Sequence, residues 1–381
     1  MGEDIVALFK KGNRLFKENR CHEAREVFEE ALESDPRNLY VLTGLGDVLR
    51  RLKDFDRAAG YYRQVLERDP NNLFALRGLG DTCREQALYE PAIELWTRYL
   101  KIRPHDIFVL TRIADSYKMM GRFEEAEDHY QKALTINPND RYALMGLGDL
   151  HQKTGREELA IEYYERLLER GGNFLHILTI VGNLYRHRGE QEKAKVFYER
   201  TLAKDSHNQY ALYGLGEIYR WKYEYHRAIE MWERILERHE GTINMLARLG
   251  DLYRKVGYFD SAERTYRQTL SREYNKYALM GLAKLRCLQG RCDEVLEHYD
   301  ELLAREGGED SRFVIELGEI FQQTNRKRDA LRFYRHALNR EDLSAETREV
   351  IKGLVAKLEK SVQAESAQMA ALPSSSAEGG P

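Results

Sequence analysis

Acidic and basic side chains recur along the chain in pairs that stand three residues apart. Five such pairs are separated from one another by multiples of 34 residues: Asp47 and Arg50, Asp81 and Arg84, Asp115 and Lys118, Glu217 and Arg220, Asp251 and Arg254. On a helix such neighbours form ion pairs, each stabilising by about 0.2 to 0.5 kcal/mol. The same groups are suited to a partner whose amides meet the carboxylates and whose acids meet the arginines. The sequence leaves both interpretations open.

Aromatic side chains accompany the charged ones in the middle of the chain. Tyr213 and Trp221 flank Glu217 and Arg220, while Arg186 precedes and Arg254 follows them. Clusters of aromatic residues and arginine are common where proteins bind one another. The segment from Arg186 to Arg254 is therefore predicted to bind an extended part of a partner.

Motifs for catalysis are missing from the sequence. It contains no GxxxxGK[ST], HExxH, CxxC or GxSxG pattern, and GLG at 44–46 has Leu49 where a nucleotide loop needs a third glycine. Cys21, Cys83, Cys287 and Cys292 are too scattered for a metal site and are predicted to be reduced structural thiols. We expect neither an enzyme nor a bound cofactor.

The charged and aromatic residues are positioned by a 34-residue repeat, which occurs ten times. Place 8 of the repeat is small, place 20 is almost always alanine, place 24 is aromatic, and glycine is frequent at place 15. This spacing predicts two short helices that cross closely at the small residues, with a left-handed cap at place 15. The predicted copies are 5–38, 39–72, 73–106, 107–140, 141–174, 175–208, 209–242, 243–275, 276–310 and 311–344.

The pattern resembles the tetratricopeptide repeat family over residues 5–344. The resemblance implies an all-α fold, a right-handed superhelical solenoid of stacked helix-turn-helix hairpins. It also implies that places 2, 5, 9, 12 and 13 line a concave groove for a protein or peptide. The paired charges fall at places 9 and 12, and Asp149 and Arg186 occupy these places in copies five and six.

Alternate copies differ from one another at place 6. Glycine stands there in Gly78, Gly146, Gly214 and Gly281 of the odd copies, and copies four, six, eight and ten lack it. Glycine inside a helix costs about 1 kcal/mol relative to alanine. Either neighbouring helices approach closely at these residues, or their backbone is exposed to a ligand in the groove.

The carboxylate clamp of the family's chaperone adaptors is absent. Starting from Asn13, the four other clamp positions hold Phe9, Gly44, Phe74 and Gly78 instead of Lys, Asn, Lys and Arg. The expected function is a non-catalytic scaffold or adaptor. A regulatory or targeting subunit of an enzyme complex, or a chaperone adaptor without the clamp, is the alternative.

Composition limits the partners and the compartment. The net charge is −3, with 60 basic against 63 acidic residues, which gives no strong attraction for nucleic acid. The N-terminus lacks a signal peptide pattern, and no apolar run is long enough to span a membrane, so a cytoplasmic protein is expected. Residues 345–365 are predicted to form a capping helix and residues 366–381 a disordered tail. Self-association is left open.

Overall fold

A computed structural model describes residues 2–169, 171, 174–291, 294–295, 311–323, 325–339 and 344–370. The chain divides into two compact units, Met1–Leu184 and Tyr185–Pro381. Within the described residues all regular structure is helical, which confirms the all-α prediction. Most of the segment predicted to form the second helix of copy nine lies outside the described residues.

Two helices represent each fully described copy. Those of copies one to five are α1 (Gly2–Lys17), α2 (Cys21–Ser34), α3 (Leu39–Arg51), α4 (Phe55–Arg68), α5 (Leu73–Glu85), α6 (Tyr89–Ile102), α7 (Ile107–Met119), α8 (Phe123–Ile136), α9 (Arg141–Lys153) and α10 (Glu157–Glu169). Those that follow are α11 (Leu175–His187), α12 (Gln191–Leu202), α13 (Gln209–Trp221), α14 (Tyr225–Leu236), α15 (Ile243–Lys255), α16 (Phe259–Arg272), α17 (Lys276–Leu288), α18 (Ser311–Gln323), α19 (Lys327–Leu338) and α20 (Ala345–Ala370).

The first helix of a copy begins at a polar residue in place 34 of the copy before it. Asn38 accepts hydrogen bonds from the backbone N–H groups of Tyr40 and Val41, and Asn72 caps α5 in the same way. Such side chains satisfy amide groups that have no partner inside the helix. In seven copies an Asn, Asp or Thr at this place therefore sets the start of the next first helix, whereas copy five ends in Phe174.

A left-handed residue at place 15 ends the first helix in all ten copies. Five of these residues are glycine, and the others are Asn19, Lys53, Ala87, Tyr223 and Asn325. In copy two the N–H of Asp54 bonds to the carbonyl of Leu49, and that of Lys53 to Arg50, which is the Schellman arrangement. The predicted left-handed cap is confirmed, including in copies that lack glycine there.

Aromatic rings at place 24 join consecutive copies. An added Cβ on Gly46 would come within 2.6 Å of the Tyr62 ring, and one on Gly78 within 2.5 Å of the same ring. Phe28 lies in the same way against Gly12 and Gly44, and Tyr266 against Gly250 and Gly281. The glycines at places 8 and 6 thus make room for one ring. Close packing, rather than backbone exposed to a ligand, explains the alternating glycine.

The C-terminal helix α20 covers the last described hairpin. Ile351 and Leu358 are buried in one apolar cluster with Phe321 and Phe333. The helix continues to Ala370, so residues 366–370 are helical where the sequence was expected to be disordered. Residues 371–381 lie outside the described part. No helix in the described residues is both long and apolar enough to cross a bilayer.

Candidate functional site

The carboxylates at place 9 bind tyrosines at place 24 of their own copies. Tyr62 Oη donates to Asp47 at 2.6 Å, Tyr164 to Asp149 at 2.7 Å and Tyr266 to Asp251 at 2.7 Å. Tyr130 donates to Asp115 in the same way. These contacts were missed from the sequence, although tyrosine at place 24 accompanies aspartate at place 9 in each of these four copies. Through these hydrogen bonds, the second helix of each copy holds the acid of the first helix in place.

Burial controls the charge of the best enclosed of these acids. Desolvation raises the pKa of the Asp47 carboxyl, and it outweighs the opposite effects of the Tyr62 hydroxyl and of Arg50 and Arg77. An acid of this kind supports the fold through its hydrogen bond. Asp47 also lines a cavity with Tyr40 and Phe74, and its role in binding a partner stays a prediction.

The expected pairing of places 9 and 12 is correct in three copies and wrong in two. Lys118 Nζ lies 3.7 Å from Asp115, Arg220 2.9 Å from Glu217 and Arg254 3.2 Å from Asp251. Two other contacts replace the pairs that do not form.

In copies two and three the bases and acids find partners in the next copy. Arg50 lies 2.8 Å from Glu85 and not on Asp47. Asp81 forms its ion pair with Arg112, one copy further along, and leaves Arg84 without a carboxylate among the described residues. Residue spacing along one helix could not reveal these contacts, because the two charged residues lie on helices of neighbouring copies.

Asp149 and Arg186 do not belong to a pair of an acid at place 9 and a base at place 12 of the same copy. Lys118 reaches Asp149 across the joint between copies four and five, with 3.6 Å between Nζ and Oδ2. Arg186 Nε donates to the Tyr198 hydroxyl at 3.4 Å. Both residues are thus held by neighbours, and the expectation that they bind a partner remains a prediction.

A cluster of aromatic and guanidinium groups, here called site A, lies on the first helices of copies three and four. It consists of Phe74, Arg77 and Arg84 on α5 with Phe108 and Arg112 on α7. The Arg112 guanidinium lies over the Phe108 ring at 3.9 Å and contacts the buried Asp81. Phe74, Arg77 and Phe108 line a cavity of about 840 Å³.

Positive charge is concentrated at site A. Burial and the neighbouring guanidinium groups of Arg50 and Arg77 lower the pKa of Arg112. The Arg84 Nε atom is buried without a hydrogen-bond acceptor in the described structure. Like charges packed this closely repel, so an incoming anion would relieve the repulsion.

Copies seven and eight contain a second cluster of the same kind, called site B. It consists of Tyr210, Tyr213, Arg220 and Trp221 on α13 with Arg248 on α15. Arg248 lies 2.8 Å from Glu217 and donates to the Tyr213 hydroxyl at 3.3 Å. Burial alone would raise the pKa of the Glu217 carboxyl, but Arg220 and Arg248 outweigh it and lower that pKa.

Aromatic residues at place 2 are exposed on the first helices of both units. Tyr40 is 71% exposed, Phe74 63% and Tyr210 62%, and Phe108, Tyr142 and Tyr277 are also exposed. The sequence left open whether these rings pack on the preceding copy. At Tyr40, Phe74, Tyr210 and Tyr277 more than half of the residue is available for contact. A row of exposed rings of this kind is typical of surfaces that bind other molecules.

The described residues contain no group of three or more His, Cys, Asp or Glu side chains suited to a metal ion. Cys21, Cys83 and Cys287 are buried in the packing between helices. Cys292 lies outside the described residues.

Comparisons with known proteins agree with the repeat that the helices display. Family models described as tetratricopeptide repeat match residues 9–73, 54–107, 105–172, 210–242 and 246–276. A search of curated proteins finds no match.

Several solved structures are similar to this chain. The crystal structure of MamA protein is 26% identical, covers 44% of this chain and 92% of its own, and has a TM-score of 0.41. A tetratricopeptide repeat protein from Parabacteroides merdae is 19% identical, with 66% and 98% covered and a TM-score of 0.47. PilF of Pseudomonas aeruginosa is 21% identical, with 54% and 93% covered and the same score.

The family assignment rests on the repeat models and on the helices themselves. The matched ranges fall in both units, and the paired helices, place-15 caps and place-24 rings recur at the same 34-residue spacing. The chain belongs to the tetratricopeptide repeat family.

Proposed function

We propose that this protein is a non-catalytic interaction scaffold whose first helices hold an extended segment of a partner protein. The observation that carries the proposal is the row of exposed aromatic rings at place 2, with Tyr40, Phe74 and Tyr210 more than half exposed. Large rings lose little conformational freedom on binding and bury much apolar area.

Charged groups beside the rings support the same function. Arg84 has no carboxylate partner among the described residues, and Trp221, next to Arg220, is 68% exposed. An arginine next to an aromatic ring binds both acidic and apolar groups of a peptide. The groove of copies six to eight, with Arg186, Tyr213, Arg220, Trp221 and Arg254, is the part that we propose for the first contact.

Cross-linking from defined positions tests this function. The full chain would carry a photoreactive phenylalanine analogue in place of Phe74 or of Tyr210 in living cells, and cross-linked peptides would be identified by mass spectrometry. The matched control places the analogue at Val196, which is 52% exposed on the second helix α12. We expect partner peptides at Phe74 and Tyr210 and few at Val196.

A charge-and-ring variant supplies the second arm of the test. Arg220→Glu combined with Trp221→Ala should reduce the yield of the partners cross-linked from Tyr210. Equal cross-linking from Val196, or an unchanged yield in the double variant, would show that this face does not bind the partner.

A further inference from the structure

We propose that sites A and B are two equivalent docking positions for one kind of partner segment, an extended stretch with carboxylate side chains next to aromatic or aliphatic ones. The inference rests on the proposed function and adds the chemistry and the number of bound segments. It is carried by a set of substitutions that the two sites share and by the charge that these substitutions leave uncompensated.

The shared substitutions start at place 24, where both sites have tryptophan in place of tyrosine. Trp96 and Trp232 are fully buried, and they lie against Gly80 and Gly216 of their own copies. An indole has no hydroxyl to donate to the acid at place 9. The acids Asp81 and Glu217 are therefore free to bind another donor.

Arginine at place 6 of the following copy supplies that donor at both sites. Arg112 pairs with Asp81, and Arg248 pairs with Glu217, whereas Gly78, Gly146 and Gly281 stand at place 6 after a tyrosine. Both acids are only 5% exposed, so a buried carboxylate holds each arginine in place. The same exchange of two residues, tryptophan at place 24 and arginine at the next place 6, occurs twice, four copies apart, which marks the two sites as the same arrangement.

Each site contains more guanidinium groups than carboxylates. At site A Arg112 pairs with Asp81, Arg77 lines the cavity together with Asp106, and Arg84 has no carboxylate partner among the described residues. At site B Arg220 and Arg248 share Glu217. The whole chain carries a net charge of −3, so the positive excess is a local property of these sites. A planar guanidinium binds a carboxylate through two parallel hydrogen bonds. Acidic side chains of a partner are the groups that complement this excess.

Rings next to the arginines specify the rest of the segment. Phe74 and Phe108 border the cavity at site A, while Tyr213 stacks on Trp232 at site B with 5.9 Å between ring centroids. Aromatic or aliphatic side chains that flank the acid would cover the exposed Phe74 and Phe108 rings and the partly exposed Tyr213 ring. A partner with two such stretches, or two copies of one partner, would occupy both sites.

Peptide selection on the full chain tests the chemistry. Random 12-residue peptides displayed on phage would be selected on the full-length protein, and the consensus peptide would be synthesised. We expect Asp or Glu beside an aromatic or leucine residue. A consensus without acids, or equal affinity after Asp→Asn and Glu→Gln exchange in the peptide, would overturn the inference and leave the proposed function intact.

Titration calorimetry with the consensus peptide tests the number of sites. The parent chain should bind two peptides, Arg84→Gln and Arg220→Gln should each weaken one of the two by at least tenfold, and the double variant should weaken both. Arg63→Gln on the exposed side of α4 is the matched control and should change neither. Circular dichroism melting would confirm that each variant is folded.

Three results would overturn the two-site inference. They are a stoichiometry of one, a loss of all binding in a single Arg→Gln variant, and the absence of any enriched peptide. The cross-linking experiment above stays an independent measure of the proposed function in each case, because it uses natural partners and no selected peptide.

Discussion

At the level of single residues, the side chain at place 24 determines what the surface of its copy presents. Tyrosine engages the acid at place 9 and can pack against glycine at place 6 of the next copy, as Tyr62 does with Asp47 and Gly78. Tryptophan releases the acid to an arginine, as at Asp81 and Arg112. The buried ring at place 24 thus determines whether an arginine at place 6 lies on the first helix of the next copy, as it does after Trp96 and Trp232.

Tyr223 is held in a left-handed backbone conformation, and its ring contacts the Tyr225 ring edge-on. Its φ angle is +61°, and its side chain is 77% exposed. A left-handed conformation costs a residue with a Cβ roughly 1 to 2 kcal/mol. We expect Tyr223→Gly to stabilise the chain by about 1 kcal/mol on this ground, measured as the free energy of unfolding in urea.

The turn of copy eight provides the matched control. Gly257 has a φ angle of +84°, and a Cβ added to it would meet no atom within 4 Å. Gly257→Ala should therefore destabilise through backbone strain alone, by about 1 kcal/mol. A loss of stability in Tyr223→Gly would contradict this account and would point to contacts of the ring itself.

His151 should make the stability of the chain depend on pH. The ring is fully buried and stacks on Tyr163, and neither ring nitrogen has a hydrogen-bond partner in the described structure. Burial lowers its pKa, assisted by Arg156 and opposed by the carboxylates of Glu127 and Glu162.

The sign of the pH effect follows from that direction. The unfolded chain binds a proton near pH 6.5 and the folded chain only at lower pH, so stability is complete above about pH 6.5 and falls as the pH is lowered further. The stability of His151→Leu relative to the parent should rise between pH 7.5 and pH 5.5. The exposed His176→Leu should show no such trend. A constant difference for His151→Leu would refute the argument.

At the level of helices, glycine has opposite effects on stability at two positions, one on α5 and one on α4. Gly78 on α5 lies against the Tyr62 ring, whereas Gly60 on α4 has no atom within 4 Å of an added Cβ. Gly78→Ala should destabilise by about 1 to 3 kcal/mol through overpacking. Gly60→Ala should stabilise by up to about 1 kcal/mol, because alanine is the better helix former. Thermal unfolding of both variants checks the pair, and equal effects would show that the ring moves aside.

The sequence was sufficient for helices and turns but not for contacts across joints. The left-handed caps at Gly121 and Gly257 follow from glycine at a fixed place, which is local information. The pairing of Asp81 with Arg112 depends on a residue one copy away, and the one-helix argument assigned it to Arg84 instead. The signal was present in the sequence, since tryptophan at place 24 and arginine at the next place 6 change together in copies three and seven.

At the level of the whole molecule, α20 should keep the array from associating through its last hairpin. Ile351 and Leu358 cover the apolar cluster that contains Phe321 and Phe333, and Arg335 bonds to Glu359 at 2.5 Å. A terminal repeat without a polar cover tends to aggregate. Deleting residues 345–381 should produce dimers or larger species in size-exclusion chromatography with light scattering. Deleting only residues 371–381 is the control, and a monomeric 345–381 deletion would exclude the capping role.

The rings between copies also have a mechanical consequence. Tyr62 lies against the glycines of its own copy and of the next, and Tyr266 does the same further along. Within one unit such joints act in series, so a load across several copies is shared among them. Copy six has Ile180 at place 6, where glycine follows Tyr62 and Tyr130, so that joint should differ in compliance from the others. The stiffness of each joint against a partner that pulls on the chain should thus depend on the residue at place 6.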